Sequence, residues 1–192
     1  MPHWIYAFRF LKAAFYLQSG ASADGPALEN LRSIATLANR RGDHAIEAFA
    51  GLLEGLALLK TTKEDALDKV QECIARASKY QLDPQLRIPQ LDILVLLLDL
   101  GSSMNQKNPG IMSQKLTALQ NRLDAAEDWQ ITSSTLQLPV KKVPSAHHVS
   151  EDTAGVIRPG PDDDGHDYLV LSFVARAELF ILVCVPFRSS FG

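Results

Sequence analysis

Apolar residues recur over the first 128 residues at the three- and four-residue spacing of amphipathic helices. The stripe at the start of the chain consists of Trp4, Ala7, Phe8, Leu11 and Phe15. The stripe at the end of this region consists of Met112, Leu116, Leu119, Leu123 and Ala126. The pattern predicts helices over Trp4–Ser19, Pro26–Arg41, His44–Lys60, Lys63–Gln81, Gln90–Met104 and Gly110–Asp128. The connections between them are short, so neighbours in sequence are expected to pack antiparallel.

The second helix and the start of the third carry clear end signals. Pro26 suits a first helical position, and Gly42 suits a left-handed cap after the last turn. Arg40 and Arg41 in that last turn are interpreted as charges that complement the helix dipole. Asp43 is interpreted as the N-cap of the third helix.

The third predicted helix is apolar almost all round, which is typical of a helix enclosed by others. Its apolar residues are Ala45, Ile46, Phe49, Ala50, Leu52, Leu53, Leu56 and Leu59. Leu53 is therefore expected to be enclosed, and Gly55 is expected to let a neighbouring helix approach closely.

The spacing of the helices suggests a repeat. Two successive helices occupy 36 residues or a little more, which lies between the tetratricopeptide period and those of longer helical repeats. The tetratricopeptide consensus itself is matched poorly, because Ala66 and Val70 fit its second helix but no Trp-x-x-Leu-Gly precedes them. The predicted fold class is all-α, with tetratricopeptide-like antiparallel helix pairs in a superhelical array over residues 1–128.

The character of the chain changes after residue 128. Residues 129–166 contain four prolines and the acidic run Asp162–Asp164, which predicts a disordered or loop-rich linker. Within it Leu136, Leu138 and Val140 alternate with other residues, which predicts a short extended piece that docks. Residues 167–192 are expected to be a short, partly extended start of a further repeat, cut through an element.

Composition narrows the class of protein. Hydrophobic residues make up 46% of the 192, enough for a sizeable core. The net charge of -3 argues against a dedicated nucleic-acid binder. The longest apolar stretches, Ile93–Leu98 and Leu179–Val185, are far shorter than the ~20 residues that a bilayer span needs, so we expect a soluble protein. Cys73 and Cys184 are too few for a disulfide scaffold.

Residues that could carry catalysis or bind a metal are scattered. The histidines are His3, His44, His147, His148 and His166. His147 and His148 lie in the predicted linker with no other ligand type at suitable spacing, and His44 directly follows a helix cap, where an exposed polar residue is ordinary.

Two other candidates have ordinary interpretations. Asp162, Asp164 and Gly165 resemble part of a calcium loop, but its first and twelfth positions would be Gly160 and Leu171, which are not ligands; a solvated acidic turn fits better. Cys73 is interpreted as a small core residue. With no phosphate loop, nucleophile elbow or zinc-protease motif, we predict no catalytic, cofactor or metal residues and no enzyme.

Short collinear segments resemble one known family. They are Tyr6–Leu11, Ile34–Asp43, Ser78–Leu82, Arg87–Leu91, Gln114–Leu116 leading to Trp129, and Tyr168–Phe173. In order and spacing they are similar to the tetratricopeptide-type subunit of the cohesin loader, in its fungal form, of which this chain would be a central fragment. The tail 186–192 departs from the family pattern.

The resemblance implies a non-enzymatic scaffold that needs no cofactor. Its expected partner is the large HEAT-repeat subunit of the loader, with cohesin and chromatin reached through that complex. It implies a nuclear protein that supports cohesin loading and sister-chromatid cohesion, without a membrane or a small-molecule substrate. The residues that contact the partner are not indicated.

A generic helical-repeat peptide-binding adaptor is the alternative function. Peptide clamps of that kind usually show basic residues along one groove. Here the cations of the predicted helices are few and scattered. The composition therefore favours the loader scaffold over the generic adaptor.

Overall fold

A computed structural model describes residues 2–18, 25–61, 65–82, 87–105, 109–126, 129, 134–143, 151–161 and 164–179. Within these ranges the helices are α1 (Pro2–Gln18), α2 (Pro26–Arg41), α3 (His44–Leu59), α4 (Ala66–Ser78), α5 (Pro89–Asn105) and α6 (Pro109–Asp124). The strands are β1 (Thr135–Lys141), β2 (Ile157–Arg158) and β3 (His166–Ser172). Short 3-10 helices cover Lys79–Leu82 and Glu151–Thr153.

The structure confirms the predicted fold class: a mostly helical chain with a small sheet near its C-terminal end. Each of the six predicted helices is present, and α2 begins and ends where the sequence indicated. Gly42 caps it in the left-handed conformation with φ of 74°, and the N–H of Asp43 donates to the carbonyl of Ala38. The predicted start of α4 at Lys63 and the predicted end of α6 at Asp128 lie outside the described residues.

The helices pack as a two-layered array. Every helix contacts the next one in sequence, and α3 also contacts α5. Phe10 of α1 packs against Phe49 of α3 with ring centroids 5.2 Å apart, so α1, α3 and α5 share one layer. A side chain at Gly55 would place its Cβ 2.5 Å from Cδ2 of Leu98, which confirms that this glycine allows α5 to approach α3.

The buried face of α1 differs from the predicted stripe. Tyr6, Phe10 and Ala13 are buried, whereas Phe8 and Phe15 of the predicted stripe are largely exposed. The helix carries apolar residues on two sides, and the periodicity alone gave no way to choose which side faces the core. The stripe of Phe8, Leu11 and Phe15 is therefore apolar but is not the buried face of α1.

The antiparallel sheet has the strand order β1-β3-β2 and packs on the helices. The side chains on one face of the sheet are fully buried in the same core as α1 to α5. They belong to Leu136, Leu138 and Val140 of β1, Ile157 of β2 and Leu169 of β3. The extended piece predicted at residues 136–140 is therefore confirmed.

Within residues 129–166 the structure differs from the linker that the composition suggested. This segment contains β1, β2 and the buried side chain of Trp129. Pro139 did not prevent a strand, because β1 is an edge strand and the hydrogen-bonding register with β3 does not use the nitrogen at that position. Residues 130–133, 144–150 and 162–163 lie outside the described part of the chain.

A buried carboxylate connects three parts of the fold. The hydroxyl of Tyr6 on α1 donates to Oδ2 of Asp43 at 2.8 Å, and Nε of Arg41 donates to the same oxygen at 2.8 Å. The backbone N–H of Lys141, at the end of β1, donates to Oδ1 of Asp43 at 2.9 Å. Asp43 thus fixes α1 and β1 against the corner between α2 and α3.

Asp43 lies at the predicted N-cap position of α3, but this network changes the role of its side chain and adds to that of Arg41. The side chain of Asp43 makes no capping hydrogen bond to α3, because both of its oxygens are engaged by Tyr6, Arg41 and Lys141. Arg41 does more than complement the helix dipole, since it also donates from Nη2 to the carbonyl of Lys141 at 3.3 Å.

A second polar contact joins α1 to the sheet. Nε2 of His3 lies 3.2 Å from Oδ2 of Asp167 on β3, and both residues are buried. Oδ1 of Asp167 accepts the backbone N–H of Gly160 at 3.3 Å. Burial lowers the pKa of His3 from its ordinary value, and this effect outweighs the opposite influence of Asp167.

The helices α2, α3 and α4 share a buried carboxylate of their own. Glu54 on α3 accepts from Nε of Arg32 on α2 at 2.6 Å and from Nη2 of Arg76 on α4 at 3.1 Å. Glu54 is the one charged residue among the buried residues of α3. Among the described residues, no helix is both long enough and apolar enough to cross a membrane.

Replacing Asp43 by alanine should destabilise the fold by about 3 kcal/mol, because the Tyr6 hydroxyl, the Arg41 guanidinium and the Lys141 N–H all lose their acceptor. The control is Lys69→Ala, which removes the exposed ion pair with Asp65 and should cost less than about 1 kcal/mol. Urea denaturation of both variants measures the difference. Equal losses would contradict the connecting role of Asp43.

The lowered pKa of His3 predicts a pH dependence of stability. The unfolded chain takes up a proton as the pH falls below 6.5, the ordinary value for histidine, while the folded chain takes it up only at a lower pH. The free energy of unfolding should therefore fall from pH 7.5 to pH 5.5. His3→Gln should flatten this fall, and identical pH profiles for the two proteins would contradict the burial of a neutral imidazole.

The packing of β1 predicts that Leu138→Ala costs about 2–5 kcal/mol, because its side chain is fully buried between the sheet and the helices. The same substitution at Leu11, which is 68% exposed, should change the free energy of unfolding by less than about 0.5 kcal/mol. Chemical denaturation measures both. A Leu138→Ala variant as stable as the wild type would mean that residues 129–166 do behave as a linker.

Candidate partner-binding groove

An apolar groove of about 920 Å³ runs between the helices and the sheet. We call it the α1–β3 groove, and its lining side chains come from α1, α3, α5, the turn before β2, and β3 with the residues that follow it. They include Trp4, Phe8, Leu11, Phe49, Leu53, Leu56, Leu94, Val156, Leu171, Phe173 and Val174. Among the described residues, the sheet contacts one part of the α1–α3–α5 layer and leaves the part that lines the groove uncovered.

The wall formed by α1 presents large apolar side chains to solvent. Phe8 is 65% exposed and Leu11 is 68% exposed, and Trp4 packs beside Phe8 with ring centroids 5.9 Å apart. Large apolar side chains grouped at a concave surface are characteristic of a site for another protein or ligand.

The floor of the groove is formed by α3, and the burial of Leu53 on this helix differs from the prediction. Leu53 is only partly buried because it lines the groove, whereas its neighbour Leu52 is fully buried on the core side. The prediction that Leu53 is enclosed was wrong. The helix is apolar all round because one of its sides faces a groove as well as the core.

The groove carries little charge. Among the described residues that line it, Glu178 is the one ionisable side chain, and its Oε2 accepts the N–H of Ala175 at 3.3 Å. Such a surface favours an apolar ligand or segment over an acidic or basic one.

The opposite surface carries a second, mixed-charge groove of about 590 Å³, lined by α2, α3 and α4. Its charges are largely occupied within the protein: Arg32 and Arg76 bind Glu54, and Glu47 accepts from the hydroxyl of Tyr80 at 2.6 Å. Burial and the hydrogen bond to Glu47 raise the pKa of Tyr80 to about 12. This groove therefore differs from the α1–β3 groove in being lined by charged side chains, several of which pair within the protein.

The described histidines lie in three different surroundings. His3 is buried beside Asp167, while His44 stacks on Tyr80 with ring centroids 4.8 Å apart. Nδ1 of His166 lies 2.8 Å from the carbonyl of Asp164 at an exposed turn. His147 and His148 lie outside the described residues.

The other candidates behave as ordinary structural residues. Cys73 is buried, and burial raises the pKa of its thiol, which makes it a core residue as predicted. Gly165 has a φ of 65°, and the neighbouring Asp164 accepts a hydrogen bond from Tyr168. Asp162 and Cys184 lie outside the described residues. In the part of the chain that the structure describes, no three acidic, histidine or cysteine side chains lie close enough to hold a metal ion.

The sequence did not indicate the residues of the groove, although one signal was available. In α1 two apolar stripes run side by side, and a globular helix needs only one of them for its core. The surplus stripe of Phe8 and Leu11 marks the exposed wall.

Comparison with known proteins identifies the family. A search of curated proteins and a search of solved structures found no match. The model of the cohesin loading factor family matches residues 1–184, which is nearly the whole chain and includes every helix and strand described above. This match supports a role in cohesin loading. The chain therefore belongs to the cohesin loading factor family.

Proposed function

We propose that this chain is a non-enzymatic scaffold that binds an extended segment of the large HEAT-repeat subunit of the cohesin loader in the α1–β3 groove. The observation that carries the proposal is an open apolar groove on a chain that belongs to the cohesin loading factor family. The role of this family in cohesin loading supports a chain that acts by binding other proteins.

The lining of the site supports a ligand that contacts several elements at once. The groove is bounded by the exposed wall of α1 on one side and by β3 on the other, with α3 between them. Helical-repeat proteins bind extended chains through many modest contacts along such surfaces. The groove's apolar lining indicates that the bound segment supplies apolar side chains.

The cellular role follows from the partner. In complex with the large subunit, the protein would reach cohesin indirectly and would associate with chromatin through the complex. It would therefore act in the nucleus, in sister-chromatid cohesion and chromosome segregation during the cell cycle.

A generic peptide-binding adaptor remains the alternative function, and the groove chemistry separates the two. Adaptors of the clamp type hold a peptide carboxylate with basic side chains, but the described residues that line this groove include no lysine, arginine or histidine. The alternative predicts binding to unrelated acidic peptides, whereas the loader scaffold does not.

Phe8→Ala should weaken binding of the amino-terminal region of the large subunit at least tenfold, because it removes an aromatic wall of the groove. The matched control is Phe15→Ala on the same helix. Phe15 is 68% exposed, similar to the 65% of Phe8, but it does not line the groove. Isothermal titration calorimetry measures the affinities of the full chain and both variants.

Both variants remove an exposed side chain, so their melting temperatures should stay close to that of the wild type. Equal affinities for Phe8→Ala and Phe15→Ala would contradict binding in the groove. Failure of the wild-type chain to bind the large subunit would contradict the proposed function.

A further inference from the structure

Strand β3 has an edge beside the α1–β3 groove with which none of the described residues pairs. In an antiparallel strand, the backbone N–H and C=O groups of successive residues point to opposite sides. Phe173 donates its N–H to Ser134 at 2.6 Å on the β1 side, whereas Val170 donates to Val156 at 2.8 Å on the β2 side. Ser172 lies two residues from Val170, so its N–H and C=O point away from β1.

Strand β2 stops before it reaches Ser172. Its two residues pair with Tyr168 and Leu169, and Val156 extends the contact to Val170. The chain then turns, with the N–H of Val156 donating to the carbonyl of Thr153 at 2.9 Å. Among the described residues, no backbone group pairs with Ser172 on this side, and the groove lies beside it.

This edge lacks the usual protection against strand pairing. Natural edge strands carry charges, prolines or bulges that prevent another strand from joining. The residues from Leu171 to Val174 include no charged residue and no proline. The edge is therefore available to an incoming strand.

The side chains around the edge fit a strand as well. Leu171 and Phe173 pack against the helical core on one face of the sheet. A strand added next to β3 would direct every second side chain to that same face, where the apolar groove lies. Its backbone would pair with Ser172 while its alternate side chains filled the space below Phe8 and Leu53.

We propose that the partner segment binds as an added β-strand along the Ser172 edge of β3, with alternating apolar side chains in the α1–β3 groove. This proposal rests on the proposed function and specifies the chemistry of its ligand: an extended segment in which apolar residues alternate, without proline at the position that pairs with Ser172. An amphipathic helix would fill the apolar groove without using the strand edge.

The variant Ser172→Pro tests the backbone pairing. Proline removes the N–H of Ser172, which makes no hydrogen bond to β1, so β3 should keep its pairing. Binding of the amino-terminal region of the large subunit to the full chain should weaken at least tenfold. Ser172→Ala keeps the N–H and should bind within twofold of the wild type.

Amide hydrogen exchange followed by NMR tests the same contact without a substitution. In the wild-type chain the N–H of Ser172 should exchange quickly when the chain is free and at least tenfold more slowly in the complex. The N–H of Leu171, which points toward β1, should be protected in both states.

The outcomes separate the two proposals. Unchanged exchange at Ser172 on binding, together with tenfold weaker binding by Phe8→Ala, would overturn strand addition and leave the groove as the binding site of a helix. Protection of Ser172 in the free monomer would overturn it because the chain would cover its own edge. Protection that appears only at high concentration of the free chain would overturn it in favour of a second copy.

Discussion

The fold depends on one buried carboxylate, that of Asp43. Its two oxygens accept from α1 through Tyr6, from the end of α2 through Arg41, and from β1 through the backbone of Lys141. A buried carboxylate is costly unless it is fully hydrogen-bonded, so these elements must keep a single arrangement around it. Asp43 thus positions one end of the sheet against α1, and the α1–β3 groove lies towards the other end of β3, beside residues 170–174.

The α1–β3 groove and the helical array both follow from the pattern of apolar residues on α1 and α3. Each helix carries more apolar surface than the core can cover, and the sheet covers only part of the excess. The remaining surface meets an edge of β3 that no described residue pairs with. An apolar wall and an open strand edge at one place are suited to a segment supplied by another protein, which agrees with membership of a family that acts in cohesin loading.

The sequence predicted the helices well and the site poorly, for physical reasons. Helix periodicity and the end signals at Pro26 and Gly42 are local, and they located α2 correctly. The role of Asp43 depends on Lys141, which lies 98 residues away, so local signals suggested only a helix cap. Prolines around β1 suggested a linker, although the alternation at Leu136, Leu138 and Val140 already indicated a buried strand.

The most direct measurement is site-specific photo-crosslinking of the assembled complex. A photoreactive phenylalanine analogue is placed at Phe8, inside the groove, or at Phe15, on the same helix but outside it. Binding in the α1–β3 groove predicts strong crosslinks from position 8 to an amino-terminal segment of the large subunit and few from position 15. Equal crosslinking from the two positions, or none from position 8 in a complex that has assembled, would contradict the groove as the binding site.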